Sequence, residues 1–362
     1  MTVPAAGTGP AGTTAASRVD TGPRRGRSAL VLAAAVLILM AALLVGVLVG
    51  PAGLTARSVL LDLLDAIPGV HVDSGLTPQQ HAILWQIRLP RVVLGALVGA
   101  TLAIAGAAYQ GVFRNPLADP YLLGVSSGAS LGATVAIVAG GAGVAYGVPV
   151  AAFVGGVLAV AATYLLGRGI GGVRSEVVII LAGVAVAAFA NAVQTFLMQR
   201  YDETLRQVYS WLLGRLSTDG WTDIRVVLPY VVVAAAVILL HRRTLDVMAV
   251  GDVEAASLGV NPARVRLVLV GAATLGTAAV VSVSGLIGFV GIVVPHAIRL
   301  VVGPGHRLLL PLSLLLGAAF LVFADVVARW ALAPAELPIG VVTAAIGAPF
   351  FLLVLRRSRG VA

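Results

Sequence analysis

Between Asp119 and Arg168 the chain runs for 48 residues without a charged side chain. One helix needs only about 20 residues to cross about 30 Å of hydrocarbon. The stretch is therefore too long for one crossing and too apolar to lie in water. Its middle reads Gly-Gly-Ala-Gly-Val-Ala-Tyr-Gly, which predicts a turn at 140–147 between two helices. A second run holds 32 uncharged residues between Arg266 and Arg299. As one helix at 1.5 Å per residue it would be about 48 Å long, and the segment Val-Ser-Val-Ser-Gly-Leu-Ile-Gly breaks it in two. Further apolar segments at 29–50, 92–112, 177–197, 226–240, 308–328 and 339–355 bring the expectation to ten spans. The predicted fold class is an all-α polytopic membrane protein.

Charge placement orients the ten spans. Segments 1–28, 113–119, 168–176, 241–266, 299–307 and 356–362 fall on one side and hold 16 arginines against 6 acidic residues. The opposite side holds 8 of each, with Asp325 left within a span. The positive-inside asymmetry predicts an N-in, C-in chain. Residues 1–27 are rich in Ala, Gly, Thr and Pro and carry Arg18, Arg24, Arg25 and Arg27 ahead of the first apolar run. They read as a disordered cytoplasmic tail ending in a topology signal. A secretory signal peptide is the rival reading, disfavoured because 29–50 is long for its apolar core. Residues 51–90, with Asp62, Asp65, His71, Asp73 and His81, are expected to form an external segment containing a short helix, and 359–362 a short C-terminal tail.

Composition removes several function classes. With 59% hydrophobic and 11% charged residues, against about 25% charged in soluble domains, the chain could not clothe a water-facing surface. There is no cysteine, so disulfides and thiolate chemistry are excluded. All 24 basic residues are arginine; the phosphate-binding loop GxxxxGK[ST] needs its lysine, so an ATP-driven engine must be another polypeptide. The arginines are dispersed between apolar runs rather than gathered in a stripe, which argues against nucleic acid as a partner.

Few polar side chains remain to carry function. Asp325 and Arg329 stand four apart on one helical face, which fits a structural ion pair or a part in solute movement. A carrier coupled to H⁺ or Na⁺ would want an acidic group in mid-span, and only Asp325 approaches that position. His296 follows Pro295 with no second ligand at metal-binding spacing, so it is expected to cap a helix end and no metal or catalytic site is predicted. Gln110, Ser126, Ser127 and Ser282 place small polar groups in apolar helices; a solute pathway and ordinary interhelical hydrogen bonds explain them equally. The segment 241–266 is the strongest polar feature. Asp252 suits the start of a short helix, Gly259 its end, and Asn261-Pro262 the start of the next. Such an element is either a surface on which a soluble partner pushes or a plain solvated loop.

Several local patterns then coincide. In chain order they are Arg88-Leu-Pro-Arg91; Gly106 and Gln110 followed by Arg114-Asn-Pro-Leu-Ala-Asp-Pro120; Leu123-Gly-Val-Ser-Ser-Gly-Ala129; Trp211-Leu-Leu-Gly214; and Ala256-Ser-Leu-Gly259. Later come Gly288-Phe-Val-Gly-Ile-Val-Val-Pro-His296 with Arg299, Asp325 with Arg329, Glu336-Leu-Pro-Ile-Gly340 and Gly347-Ala-Pro-Phe350. Over residues 28–358 the chain resembles the FecCD/BtuC-type permeases, membrane subunits of type II, binding-protein-dependent ABC importers.

The resemblance implies a ten-helix permease domain in a prokaryotic cytoplasmic membrane. It implies a second permease subunit, identical or not, with the path between the two. It also implies two cytoplasmic ATPase subunits that use ATP and Mg and an extracytoplasmic solute-binding protein, while this chain binds no cofactor and catalyses nothing. Residues 251–266 match the family's cytoplasmic coupling helices, with Gly251, Asp252, Glu254, Ala255, Leu258, Gly259 and Arg264 facing the ATPase, and Ala255, Leu258 and Gly259 as the close-packing face. Arg88, Arg91 and Arg329 match positions that meet acidic groups of the binding protein, which the rigid guanidinium fork suits; the alternative for Arg88 and Arg91 is anchoring in lipid headgroups. Asn115, Pro116, Pro295, His296, Asp325, Glu336 and Pro338 are read as structural, with Arg114-Asn115-Pro116 on the inner side and open to a place near the ATPase. The implied solute is a ferric siderophore, the alternatives being a corrinoid such as vitamin B12 or haem in the same importer class and, in a different class, an ion-coupled secondary transporter.

Overall fold

The computed structural model describes residues 24–50, 54–140, 147–171 and 176–359. The expected tail at 1–23, nearly all of the expected turn at 140–147 and residues 360–362 lie outside them. Among the described residues every regular element is a helix. They are α1 (Arg24–Leu48), α2 (Ala56–Asp65), α3 (Pro78–Ile83), α4 (Leu89–Val112), α5 (Val125–Val138), α6 (Gly147–Gly171), α7 (Glu176–Arg200) and α8 (Leu205–Leu212). The remainder are α9 (Thr222–Leu240), α10 (Arg242–Met248), α11 (Asp252–Ser257), α12 (Pro262–Ser284), α13 (Val290–Val302), α14 (His306–Trp330) and α15 (Ile339–Arg359). A π-helical turn at Leu84–Arg88 joins α3 to α4, and a 3₁₀ turn at Pro120–Leu123 precedes α5. Helix α1 already begins at Arg24, so residues 24–27 of the expected tail are helical; arginine loses little side-chain freedom in a helix and extends the apolar run backwards.

Every apolar segment expected to span is a helix, but ten full-length spans are not what the structure contains. Among the described residues seven helical runs are long and apolar enough to cross a membrane: α1, the run from Pro78 to Val112, α6, α7, α9, α12 and α14. Three more are apolar but shorter: α5, α13 and the Ile339–Val354 part of α15. Helices α5 and α13, of 14 and 13 residues, rise only about 20 Å. The reason is that both start inside the bundle, at breaks whose backbone groups are satisfied by side chains, some of them from other elements. The Thr163 hydroxyl of α6 donates to the Leu123 carbonyl (3.0 Å) and the Ser127 hydroxyl to that of Gly124 (3.0 Å). Non-helical backbone is tolerated at such depth only when it is paired within protein in this way.

Helix α4 is the buried axis. It packs against α14, α12, α13 and α9, and its crossings use glycine where backbones touch. Gly99 lies against the Gly317 carbonyl of α14 and Gly106 against the Gly291 carbonyl of α13, with no room for a Cβ at either. Gly128 and Gly155 make the same contact between α5 and α6. Close approach over small residues is what holds helices together where lipid removes any hydrophobic difference between partners. The outward faces of α1, α6 and α7 instead expose large apolar side chains such as Leu37, Leu165 and Phe189, as a lipid-facing surface requires.

Polar side chains gather at the two ends of the bundle. One end brings together Arg114, Asp246, Asp252, Arg266 and His306 and is called the α11 end; the other holds Asp62, Arg88, Arg91, Asp325, Arg329 and Glu336 and is called the α2 end.

Candidate functional site

At the α11 end, α10 and α11 form a short amphipathic step between the spans α9 and α12. Helix α11 closes as expected from its sequence. Gly259 takes φ 80°, its N–H bonds the Ala256 carbonyl (3.0 Å) and the Val260 N–H bonds that of Ala255 (3.0 Å), the paired bonds of a Schellman cap. Asn261 accepts from the Arg264 N–H (3.1 Å) and starts α12 with Pro262 in its first turn. Of the expected packing face, Ala255 is fully buried against this chain itself, so it supports the step from beneath. The face turned outward is apolar: Val253 is 79% exposed, Leu258 and Val250 both 69%. Glu254, Gly259 and Arg264 are exposed around it. Beside it opens a groove of about 720 Å³ lined by Asp252, Val253, Ala256, Asn261, Pro262, Ala263 and Arg266.

Two carboxylates fasten this step to the bundle. Asp252 lies 3.5 Å from Nη2 of Arg114 and 3.4 Å from Nη2 of Arg266. Asp246 of α10 accepts from the backbone N–H of His306 (2.7 Å) and from its Nδ1 (2.9 Å), binding the first turn of α14. Gly111 of α4 sits directly under the His306 ring, where a Cβ would not fit. Sequence reasoning missed Asp246, His306, Val250 and Val253; the only signal was apolar residues inside an otherwise charged inner segment. Asn115 accepts from the Leu117 N–H (2.9 Å) and, with Pro116, turns the chain away from α4.

At the α2 end the three arginines do different work from one another. Arg88 is 5% exposed and donates from Nη1 to the carbonyls of Val47 (3.1 Å) and Leu48 (3.5 Å). Arg329, 6% exposed, donates to the carbonyls of Gly46 (3.0 Å) and Val49 (2.6 Å). Together they occupy the orphan carbonyls at the C-terminus of α1, where cations also match the helix dipole. Both guanidinium groups are turned into this chain. Only Arg91 keeps an outward aspect. It donates to Asp325 from Nε (3.0 Å) and Nη2 (2.8 Å), and to Glu336 from Nη1 (2.9 Å). Asp325 also pairs with Arg329 across one turn at 2.9 Å, the structural alternative of the two considered for these residues. Arg91, Arg215, Glu336 and Pro338 line a groove of about 190 Å³ at this end.

The segment from α2 to the π-helical turn is held by one carboxylate. Asp62 accepts from Ser74 Oγ (2.8 Å), Trp85 Nε1 (2.8 Å) and His81 Nδ1 (3.0 Å), tying α2 to α3 and the π-helical turn. Burial pushes its pKa up, but the hydrogen bonds from Trp85, Ser74 and His81 outweigh that and leave it below the ordinary value of 3.8. The stabilisation is therefore complete above about pH 4 and is lost as pH falls through the depressed value. Acid titration should show a Trp85 fluorescence change below pH 4 that is absent from the Asp62→Asn protein.

Three of the four expected pathway residues, Gln110, Ser127 and Ser282, bond to backbone. Gln110 donates from Nε2 to the Gly291 carbonyl (3.0 Å) and accepts from Arg299. Pro295 has no N–H to offer that carbonyl four residues back, so Gln110 supplies the bond that the proline removes from α13. This is why α13 runs on through Pro295, and His296 accordingly stands in mid-helix, edge-on to Phe350 at 6.2 Å, rather than capping an end. Ser127 and Ser282 are buried and donate to carbonyls three residues back, while Ser126 is half-buried in the first turn of α5. Exposed polar side chains within an apolar span occur instead on α7, at Asn191 and Thr195.

A family model described as the FecCD transport family matches residues 30–357. The chain belongs to the FecCD family. It is 43% identical over 355 residues to the "Cobalamin import system permease protein BtuC" of Halobacterium salinarum, covering 90% of this chain and 95% of that one. It is 42% identical over 291 residues to the "Hemin transport system permease protein HmuU" of Yersinia pestis, covering 76% and 84%. A solved structure described as an inward-facing conformation of a metal-chelate type ABC transporter superposes with a TM-score of 0.78 at 29% identity, over 91% of this chain and 99% of that one. This FecCD protein is thus a polytopic, non-catalytic permease of the ABC-importer class. FecCD membership implies a cognate complex with a second permease, an ATPase and a solute-binding protein.

Proposed function

We propose that the chain is half of a dimeric permease that moves a corrinoid across the cytoplasmic membrane by alternating access, powered by a separate ATPase. Its solute is a metal chelate of the size class shared by siderophores, corrinoids and haem. The observation that carries the corrinoid reading is the identity to the cobalamin permease, 43% over nearly the full length of both chains; an Fe(3+)-citrate permease of Bacillus subtilis aligns over as much of this chain, 91%, but at 33% identity. The ferric siderophore expected from the sequence gives way to it. In this reading the chain crosses the membrane ten times, N-in and C-in, with α5 and α13 completed by the breaks that precede them. The apolar face of Val250, Val253 and Leu258 docks the ATPase. Arg91, Arg215 and Glu336 remain to meet the binding protein, and Asn191 and Thr195 of α7 face the path between permease copies.

The test is import into proteoliposomes holding the permease with its ATPase and binding protein. Labelled cobalamin should accumulate only with ATP, and excess haem or ferric siderophore should leave its uptake unchanged. Competition by either would reassign the solute within the class. Uptake driven by an ion gradient without the ATPase would overturn the importer reading.

A further inference from the structure

The family pattern Arg114-Asn-Pro-Leu-Ala-Asp-Pro120 starts at the α11 end, where Arg114 pairs with Asp252, and leads away from it toward the break between α12 and α13. At its start, Arg114 takes a left-handed backbone conformation, φ 46°, which a side chain with a Cβ adopts only when its surroundings hold it there. That conformation brings its guanidinium to Asp252, the first residue of α11, at 3.5 Å. Just past the pattern, Tyr121 reaches the break between α12 and α13. Its hydroxyl donates to the Ile287 carbonyl at 3.0 Å and accepts from the Ile287 N–H at 3.3 Å, so one side-chain oxygen replaces both backbone partners that Ile287 lacks.

Between these two contacts the segment is braced against itself. Asn115 accepts from the N–H of Leu117 and its carbonyl from that of Ala118 (2.9 and 3.0 Å). Asp119 accepts from the N–H of Tyr121 with its carboxylate (2.8 Å) and from Leu122 with its carbonyl (3.1 Å). Two prolines, Pro116 and Pro120, fix φ along the way. These bonds brace residues 115–122 into a strut.

The far end of the strut meets a junction that touches three other elements. Gly285 is pressed on the Trp211 carbonyl, and the Arg215 N–H bonds the Ser284 carbonyl at 2.7 Å. Phe289, left-handed at φ 69°, lies against Gly347 of α15 with no room for a Cβ between them. The Gly340 N–H at the start of α15 bonds the Leu213 carbonyl at 3.1 Å. A shift of Ile287 is therefore shared with α15 and with the 211–215 turn, which lines the groove beside Arg91.

We propose that residues 114–121 transmit displacement of α11 to the α12–α13 break, with Arg114 as the input contact and the Tyr121 hydroxyl as the output contact. The proposal rests on the reading of α11 as the ATPase-docking element. Both residues are positioning residues: neither touches the docking face or the groove beside Arg91.

The test uses the full complex in proteoliposomes, measuring solute imported per ATP hydrolysed for the native protein, Tyr121→Phe, Arg114→Ala and the double variant. Each single change should lower import per ATP by about 5- to 10-fold while hydrolysis and ATPase association stay at native levels. The double variant should be no worse than the more severe single one, because both cut one linkage. Import and hydrolysis falling together would show a merely structural role and overturn the proposal, as would native coupling in Arg114→Ala, whose side chain is 38% exposed and whose loss the fold tolerates best. Native ATPase association in Leu258→Asp would instead sink the reading of α11, which separates the two failures.

Discussion

Replacing Asp325 by alanine is expected to destabilise the permease by about 3–5 kcal/mol, the range found when one member of a buried ion cluster is removed. The carboxylate is 3% exposed and pairs with both Arg91 and Arg329. Without it two guanidinium groups face one another in a protein interior, with Arg88 close by on the neighbouring α1 carbonyls of Val47 and Leu48. Arg329 cannot withdraw to water, because its Nη1 and Nη2 hold Val49 and Gly46. The thermal midpoint of the detergent-solubilised protein should fall well below that of the native chain, and Asp325→Asn should fall nearly as far, since it keeps the shape but not the charge. A midpoint unchanged in both would mean that the arginines are neutralised from outside the chain. Glu336→Ala is the internal contrast. Its side chain is 46% exposed, and exposed pairs contribute only about 0–1 kcal/mol.

Leu258→Asp, alone or with Val253→Asp, is expected to abolish ATPase association and ATP-dependent import while the permease remains folded. The two side chains are among the most exposed on the α11 step, so a charge there costs this chain little. In a docked interface the same charge would be buried without a partner, a loss of several kcal/mol, or more than 100-fold in affinity. Co-purification of the ATPase, with the permease's own thermal midpoint as control, measures both halves of the expectation. Ala255→Asp would not distinguish them, since Ala255 is fully buried inside the chain.

Much of the fold was legible because it is written in long-range composition. A helix in lipid must be apolar over its length and must satisfy its own backbone, so 48 and 32 uncharged residues with small-residue interruptions could be divided into helices at sight. The break at 281–288 appears between Ser284 and Val290, and the turn chemistry of Gly259, Asn261 and Pro262 appears at the ends of α11 and α12. How deep a helix begins was not legible. That α5 and α13 start within the bundle depends on Thr163 and Tyr121, which are 40 and 166 residues away from the groups they satisfy.

The site residues divide in the same way. Their type and family pattern located both ends of the machine, but not which way each side chain points. Arg88 and Arg329 have the chemistry of docking residues and are spent on the C-terminus of α1. Gln110 has the chemistry of a pathway residue and repairs the bond missing at Pro295. By itself the sequence determined that the chain is a multi-spanning α-helical membrane protein, that it lacks the lysine of a phosphate-binding loop, and that a short capped helix stands between two spans at 252–257, because hydrophobic length, residue type and local capping are all short-range properties. Only the tertiary structure decided which polar groups are free to meet a partner or a solute. A buried hydrogen bond is made by residues brought together from distant parts of the chain, and every such bond removes a side chain from the list of those that sequence alone would offer.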